Sequence, residues 1–212
     1  MKKLLILFYF ILSAVACYSQ TLFDVLDPKR SNNSGLLSTD EKPVDGNPNL
    51  FEDFKSGKVF YGQQETAAPV NLDLYNNQLL IRLEHVNYTV NPTRIKKVKI
   101  QVTADSVAEF KFINSVFMQT LYEDSAHAVY ITHRVKIKKG TPGNGYQAAT
   151  NDYFDRLWQY EMTKPYALTF ADSKDLLRKL DKTGGVPKEK ISEFKKLKNA
   201  DRDRIIFILK NL

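Results

Sequence analysis

The sequence predicts an α+β fold, an antiparallel β-roll or sandwich followed by C-terminal helices. Three observations predict it. Short runs of alternating apolar and polar residues, separated by turn-formers, fill residues 50–171. Helical spacing with start and stop signals begins only at Asp172. Strands followed by helices, without βαβ alternation, is the order of an α+β domain. The organisation expected is a signal peptide over 1–19, a flexible tether over 20–49, an antiparallel β domain over 50–171, and a helical segment over 172–212 packed on that domain.

The chain opens with Lys2 and Lys3, then nine unbroken apolar residues at 4–12, then small residues over 13–19. That is the layout of a secretory signal, and the run is short of the roughly twenty apolar residues a membrane span needs. Export is expected, with residence in the periplasm or at the outer membrane. Cys17 is the only cysteine and lies in the cleavage zone. Cleavage after Ala16 places it at the new N-terminus, cleavage after Ser19 removes it, and acylation makes it a lipid attachment point of lipoprotein type. An odd free thiol is unusual in an oxidising compartment, so removal or acylation is favoured. The folded body has no cysteine, which excludes disulfides, thiolate metal sites and cysteine nucleophiles from it.

Residues 21–49 hold few aromatics and many turn-formers, among them Asp27-Pro28, Lys42-Pro43, Asp45-Gly46 and Asn47-Pro48. Such composition buries too little apolar area to offset chain entropy, hence the tether. Residues 58–61 then read as a brief strand, and 70–74 and 79–83 as a hairpin around Asn76-Asn77, because Asn tolerates left-handed backbone. Over 95–102, Val98, Ile100 and Val102 share one face while Lys97, Lys99 and Gln101 share the other. Residues 109–113, 117–122 and 128–137 continue the alternation, the last with Val129, Ile131, His133, Val135 and Ile137 on one side. A Gly-rich loop from Gly140 to Asn151 follows, then a final hairpin of 157–162 and 166–170 around Thr163-Lys164-Pro165.

Asp172 and Asp175 are spaced as a capping box opening a helix through Leu176, Leu177 and Leu180, which Gly184 and Gly185 would stop. Pro187 suits the first turn of a second helix carrying Ile191 and Phe194. Asn199 or Asp201 would cap a third, with Ile205, Ile206 and Leu209.

The formal charge is +7, or +5 without Lys2 and Lys3, and residues 173–212 alone carry twelve basic and six acidic side chains. The excess therefore belongs to the helical segment. Lys174, Arg178, Lys179, Lys188, Lys190, Lys195, Lys196 and Lys198 could meet an anionic lipid surface or another polyanion, but interspersed acids favour a solvated helix face. No aromatics interleave with these lysines, so nucleic acid is not an expected partner.

Catalytic signals are sparse. His127 and His133 share strand parity but stand roughly 20 Å apart at about 3.3 Å per residue, too far for one ion, and no metal-ligand spacing occurs around them or His85. No G-x-S-x-G is present, and Gly140–Gly145 lacks the Lys-Ser or Lys-Thr of a phosphate cradle. No catalytic residue, metal or cofactor is expected, and a His-based envelope hydrolase using His127 or His133 is the alternative. Asp105-Ser106-Val107 and Asp124-Ser125-Ala126 match a short bacterial O-glycosylation pattern and equally suit turn chemistry.

The export signal, the polar tether, the hairpin PVNLDLYNNQLLIRL, the strand at Tyr166-Ala167-Leu168 and the tail DSKDLLRKLDK together resemble a loose group of bacterial exported, β-rich proteins of unknown function, periplasmic or lipoprotein-like. The resemblance implies the location and the β-then-α order and carries no catalytic residues. The function expected is non-catalytic binding or assembly in the cell envelope, with an envelope protein or glycan as partner. Tyr130, Trp158, Tyr160 and Tyr166, beside the loop Gly140–Asn151, form the candidate surface, since exposed aromatics near a long loop mark recognition.

Overall fold

The computed structural model describes residues 26–27, 44–143, 150–165, 167–183, 186–197 and 200–211. The signal region and Cys17 lie outside the described residues, as do 28–43 of the expected tether. Among the described residues, twelve strands form one sheet, and three helices follow it. The fold is α+β, with the sheet first and the helices after it.

The strands are β1 (Leu26–Asp27), β2 (Val44–Asp45), β3 (Lys55–Tyr61), β4 (Gln64–Asp73), β5 (Gln78–Leu83), β6 (Val86–Val90), β7 (Ile95–Thr103), β8 (Ser106–Ile113), β9 (Val116–Glu123), β10 (Ala128–Lys138), β11 (Asp152–Lys164) and β12 (Leu168–Phe170). Their order in the sheet is β1-β6-β5-β4-β3-β7-β8-β9-β10-β11-β12, with β2 added to β11. From β3 to β12 the one jump is from β6 to β7, through a 3-10 turn at Pro92–Arg94 that Asn91 caps by accepting from Thr93 N–H, while β1 and β2 join the sheet beside β6 and β11. All pairings are antiparallel except that of β2 with β11.

One face of this sheet is mostly apolar. The register sets Val59, Val98, Phe110, Gln119, Ile131, Tyr160 and Phe170 side by side across seven strands. That face supplies two cores. The first joins residues of β3 to β9, including Val59, Val70, Leu72, Leu79, Ile81, Val98, Ile100 and Phe110, all at most 1% exposed. The sheet curls to cover this half itself: the Asn77 side chain reaches the β8–β9 turn, donating to Ser115 O and accepting from Phe117 N–H at 3.0 Å.

The second core lies between β9 to β12 and the helices α1 (Ser173–Thr183), α2 (Lys188–Lys195) and α3 (Asp201–Lys210). Leu176, Leu177 and Leu180 recur at helical spacing and are buried there with Leu121, Val129, Met162 and Phe170. Asp172 opens α1 by accepting from Asp175 N–H at 2.7 Å, and Asp175 reaches back to Ala171 N–H at 3.1 Å. The α3 start differs from expectation. Asp201 caps nothing in its own helix, and instead accepts from Ser173 N–H at 2.9 Å, tying the first turns of α1 and α3 together. Asn199 lies outside the described residues.

The described parts of 21–49 differ from a tether. Leu26 and Asp27 pair with Val90 and Thr89, Val44 and Asp45 pair with Asp152 and Tyr153, and Asn49 bridges Asp73. Main-chain groups join an open ladder whatever their side chains, so low hydrophobicity does not predict their absence from a sheet edge. β6 was also absent from the sequence reading. Its turn from β5 uses Glu84 and His85, both at positive φ, where no glycine or asparagine announces it.

Candidate functional site

The two cores meet at Gln119, His133 and Trp158. Gln119 is the polar member of the long cross-sheet row, and His133 on β10 pairs with Trp158 on β11 one step along the same face. His133 Nε2 and Gln119 Oε1 lie 3.0 Å apart, and the His133 ring is tilted against Phe110 at 6.5 Å. Burial, and then the nearby Arg156 guanidinium, hold the imidazole pKa below its ordinary value. Trp158 stands edge-on to Tyr160 at 5.4 Å and is 58% exposed. It is a large side chain of the apolar face that stays open to solvent.

Arg156 shares that face by strand parity. Its guanidinium donates to Asn49 O at 2.7 Å and to Asn47 O and Leu50 O at 3.3 Å. The same segment is held from the other side: Leu50 N–H donates to Leu72 O at 2.7 Å, and Leu74 N–H to Pro48 O at 3.0 Å. Asn71, buried on β4, accepts from Phe51 N–H and donates to Phe51 O. Residues 47–53 thus span from β4 to β11, and Tyr75 meets Phe154 edge-on at 5.7 Å beside them.

On the opposite face of β10 and β11, the register places Arg134 beside Leu157, Lys136 beside Asp155, and Lys138 beside Tyr153. Lys138 pairs with Asp155 at 3.0 Å and Arg134 with Glu161 at 3.7 Å. Lys136 and Lys139 form no ion pair with a carboxylate among the described residues. Leu157 and Tyr153 are 44% and 42% exposed within this basic strip.

The candidate surface predicted from sequence divides. Trp158 is exposed as expected. Tyr130 and Tyr160 are buried, so neither belongs to a recognition surface. Tyr160 stacks on Phe170 at 5.2 Å inside the second core. Tyr130 lies on the other face in a small cluster with Met118 and Ala128. Thr132 beside it donates to Glu161 at 2.7 Å, and Lys111 pairs with Glu123 nearby. Burial, and then the Glu123 carboxylate, push the Tyr130 phenol up to about 12. Tyr166, and 144–149 of the adjoining loop, lie outside the described residues.

Leu157, Tyr153 and Arg156 were not anticipated. The signal was available: Leu157 and Trp158 are adjacent on a strand and so point to opposite faces, and bulky apolar neighbours demand cover on both.

The histidines bear on the hydrolase alternative. His133 is partnered by an amide, and His127 sits 3.7 Å from Asp124, whose Oδ1 accepts from the N–H groups of Ala126 and His127. His85 belongs to the β5–β6 turn. No hydroxyl is hydrogen-bonded to any of the three side chains among the described residues. The basic helix residues Lys174, Arg178, Lys188, Lys190, Lys195 and Lys196 are exposed, opposite the buried leucines, while Lys198 lies outside the described residues. Among the described residues, no helix is long and apolar enough to cross a membrane, and no three metal-ligating side chains converge.

The arrangement can stack, hydrogen-bond through main chain, and attract negative charge. Compared with known proteins, the chain matches no family model, no curated protein and no solved structure, so the chemistry of this surface rests on its own residues.

Proposed function

We propose that the protein is exported to the bacterial cell envelope and acts there as a non-catalytic binding protein, recognising its partner through the exposed part of β11. The observation that carries this reading is the run of exposed apolar side chains on one strand, Tyr153, Leu157 and Trp158, which occupy both of its faces. Monomeric proteins seldom leave such a cluster uncovered, and aromatic anchors rimmed by charge are the composition of recognition surfaces. The amino-terminal signal layout supports the location, and the ready supply of cationic side chains beside the apolar ones supports an anionic partner.

The test is capture from envelope fractions with the wild-type protein and with the double variant Leu157→Ser/Trp158→Ser. A partner retained by the first and lost by the second, at an unchanged thermal midpoint, is the expected result. Identical capture by both would overturn the proposal, and so would collapse of the thermal transition, which would make these side chains structural.

A further inference from the structure

Along its outer edge β11 already accepts two strands. β2 pairs with it at Asp152–Tyr153, and β12 at Tyr160–Met162. Between them, among the described residues, no strand pairs with that edge from Phe154 to Gln159. A stretch of six residues is about 20 Å long at roughly 3.3 Å each. Its edge-facing N–H and C=O groups are a template for main-chain pairing, and Leu157 and Trp158 stand exposed on either face of it.

We infer that this gap in the β11 edge is the seat of an extended acidic peptide segment from a partner protein, which adds to the sheet as a strand between β2 and β12. The inference rests on the binding reading above and names its ligand class. Two features select an extended polypeptide. The edge is continuous with two strand additions the chain makes to it itself, one parallel and one antiparallel, so the local geometry of this edge supports both directions. The exposed side chains alternate between faces, as pockets for successive side chains of an added strand do.

Charge selects the acidic character. Lys136 and Lys139 form no ion pair among the described residues, and Arg134 and Lys138 extend the same strip. A second copy meeting edge to edge would bring two such strips together, which like-charge repulsion opposes.

Trp158 is the chain's single tryptophan, so tryptophan emission, excited selectively over tyrosine, reports on this site alone. The test titrates the mature protein with an end-blocked heptapeptide of alternating Glu and Val, with its Lys-Val counterpart, and with a Glu-Val peptide N-methylated at alternate residues in either phase. The expected results are a saturable blue shift with the Glu-Val peptide and none with the Lys-Val peptide. Methylation in one phase should weaken binding more than about tenfold, because each main-chain bond lost is worth roughly two- to tenfold. Lys136→Glu should weaken the acidic peptide and admit the basic one.

Equal binding by both methylated peptides would overturn strand addition. No response to any peptide would overturn the inference as well, and so would a blue shift with soluble peptidoglycan fragments alone or a concentration-dependent dimer. If the envelope partner is nevertheless lost by the Leu157→Ser/Trp158→Ser variant, the binding reading stands while strand addition falls.

Discussion

Asn71→Ala should destabilise the protein by about 2–4 kcal/mol. Asn71 is 1% exposed, and its Oδ1 accepts from Phe51 N–H at 3.1 Å and Leu72 N–H at 2.9 Å, while its Nδ2 donates to Phe51 O at 2.9 Å. A fourth contact, to Asp53 O at 3.5 Å, is too long to weigh much. Removing the amide strands two donors and one acceptor, each carrying a desolvation penalty of about 1–3 kcal/mol when buried. Phe51 is only half-buried, so water can reach part of the site and re-satisfy some of these groups, which places the total at the low end of that sum. Urea unfolding followed by circular dichroism measures it as a lower midpoint at unchanged slope. Asn71→Leu, which keeps the branched shape without the polar atoms, separates bonding from packing: a loss as large as that of Ala assigns it to the hydrogen bonds. Hydrogen exchange should also quicken at the Leu50 and Leu74 amides, which the same segment protects. A loss below about 0.5 kcal/mol would refute the reasoning, because ordinary surface changes are that small.

Gly57→Ala should destabilise by roughly 1–3 kcal/mol, since the added methyl would overlap Val70 Cγ2 and sit 3.0 Å from Lys99 O; a neutral midpoint would mean that β4 yields there. Trp158→Ala should change stability by less than about 1 kcal/mol, while Tyr160→Ala should cost about 3 kcal/mol or more, and a thermal melt of the pair distinguishes the exposed ring from the buried one. The Tyr130 phenol, raised to about 12, contributes stability that is complete below pH 10 and is lost as pH rises through about 12. Phenolate absorbance should show a late-titrating group that Tyr130→Phe removes. The Lys179 ammonium, assisted by Arg178 and Ala171 N–H, lowers Asp175 to about 2, so its contribution is present above pH 4 and fades as pH falls toward 2. Asp175→Asn should flatten the acid limb of the stability profile.

Where side-chain alternation was strong, the strands were legible. β7 and β10 followed their period-two patterns, with Val98 and Ile100, and then Val129 and Ile131, on the inner face. The leucines of α1 and the Asp172 cap were equally plain, because local hydrogen bonding and burial agree there. β6 escaped because its turn is built on Glu84 and His85, residues that give no turn signal. The pairings of Val44 and Asp45 escaped because they depend on an edge created a hundred residues later. The candidate surface was half legible. Alternation puts Tyr130 on the face opposite Val129, and an outward position is not always an exposed one. The ion pairs Lys111–Glu123 and Arg134–Glu161 flank it there. Tyr160 shares its parity with Met162, yet only the helices make that face a core.

The division of one apolar face between two covers also sets an order of events. The half built from β3 to the start of β9 can close on itself as soon as Phe117 has been made. The half carrying Leu121, Val129, Met162 and Phe170 stays uncovered until α1, α2 and α3, which come later in the chain, have emerged. During synthesis, the protein therefore has a self-sufficient half and a dependent one. The dependent half is where a chaperone would find its grip, and where a chain interrupted before Ser173 would stick to its neighbours.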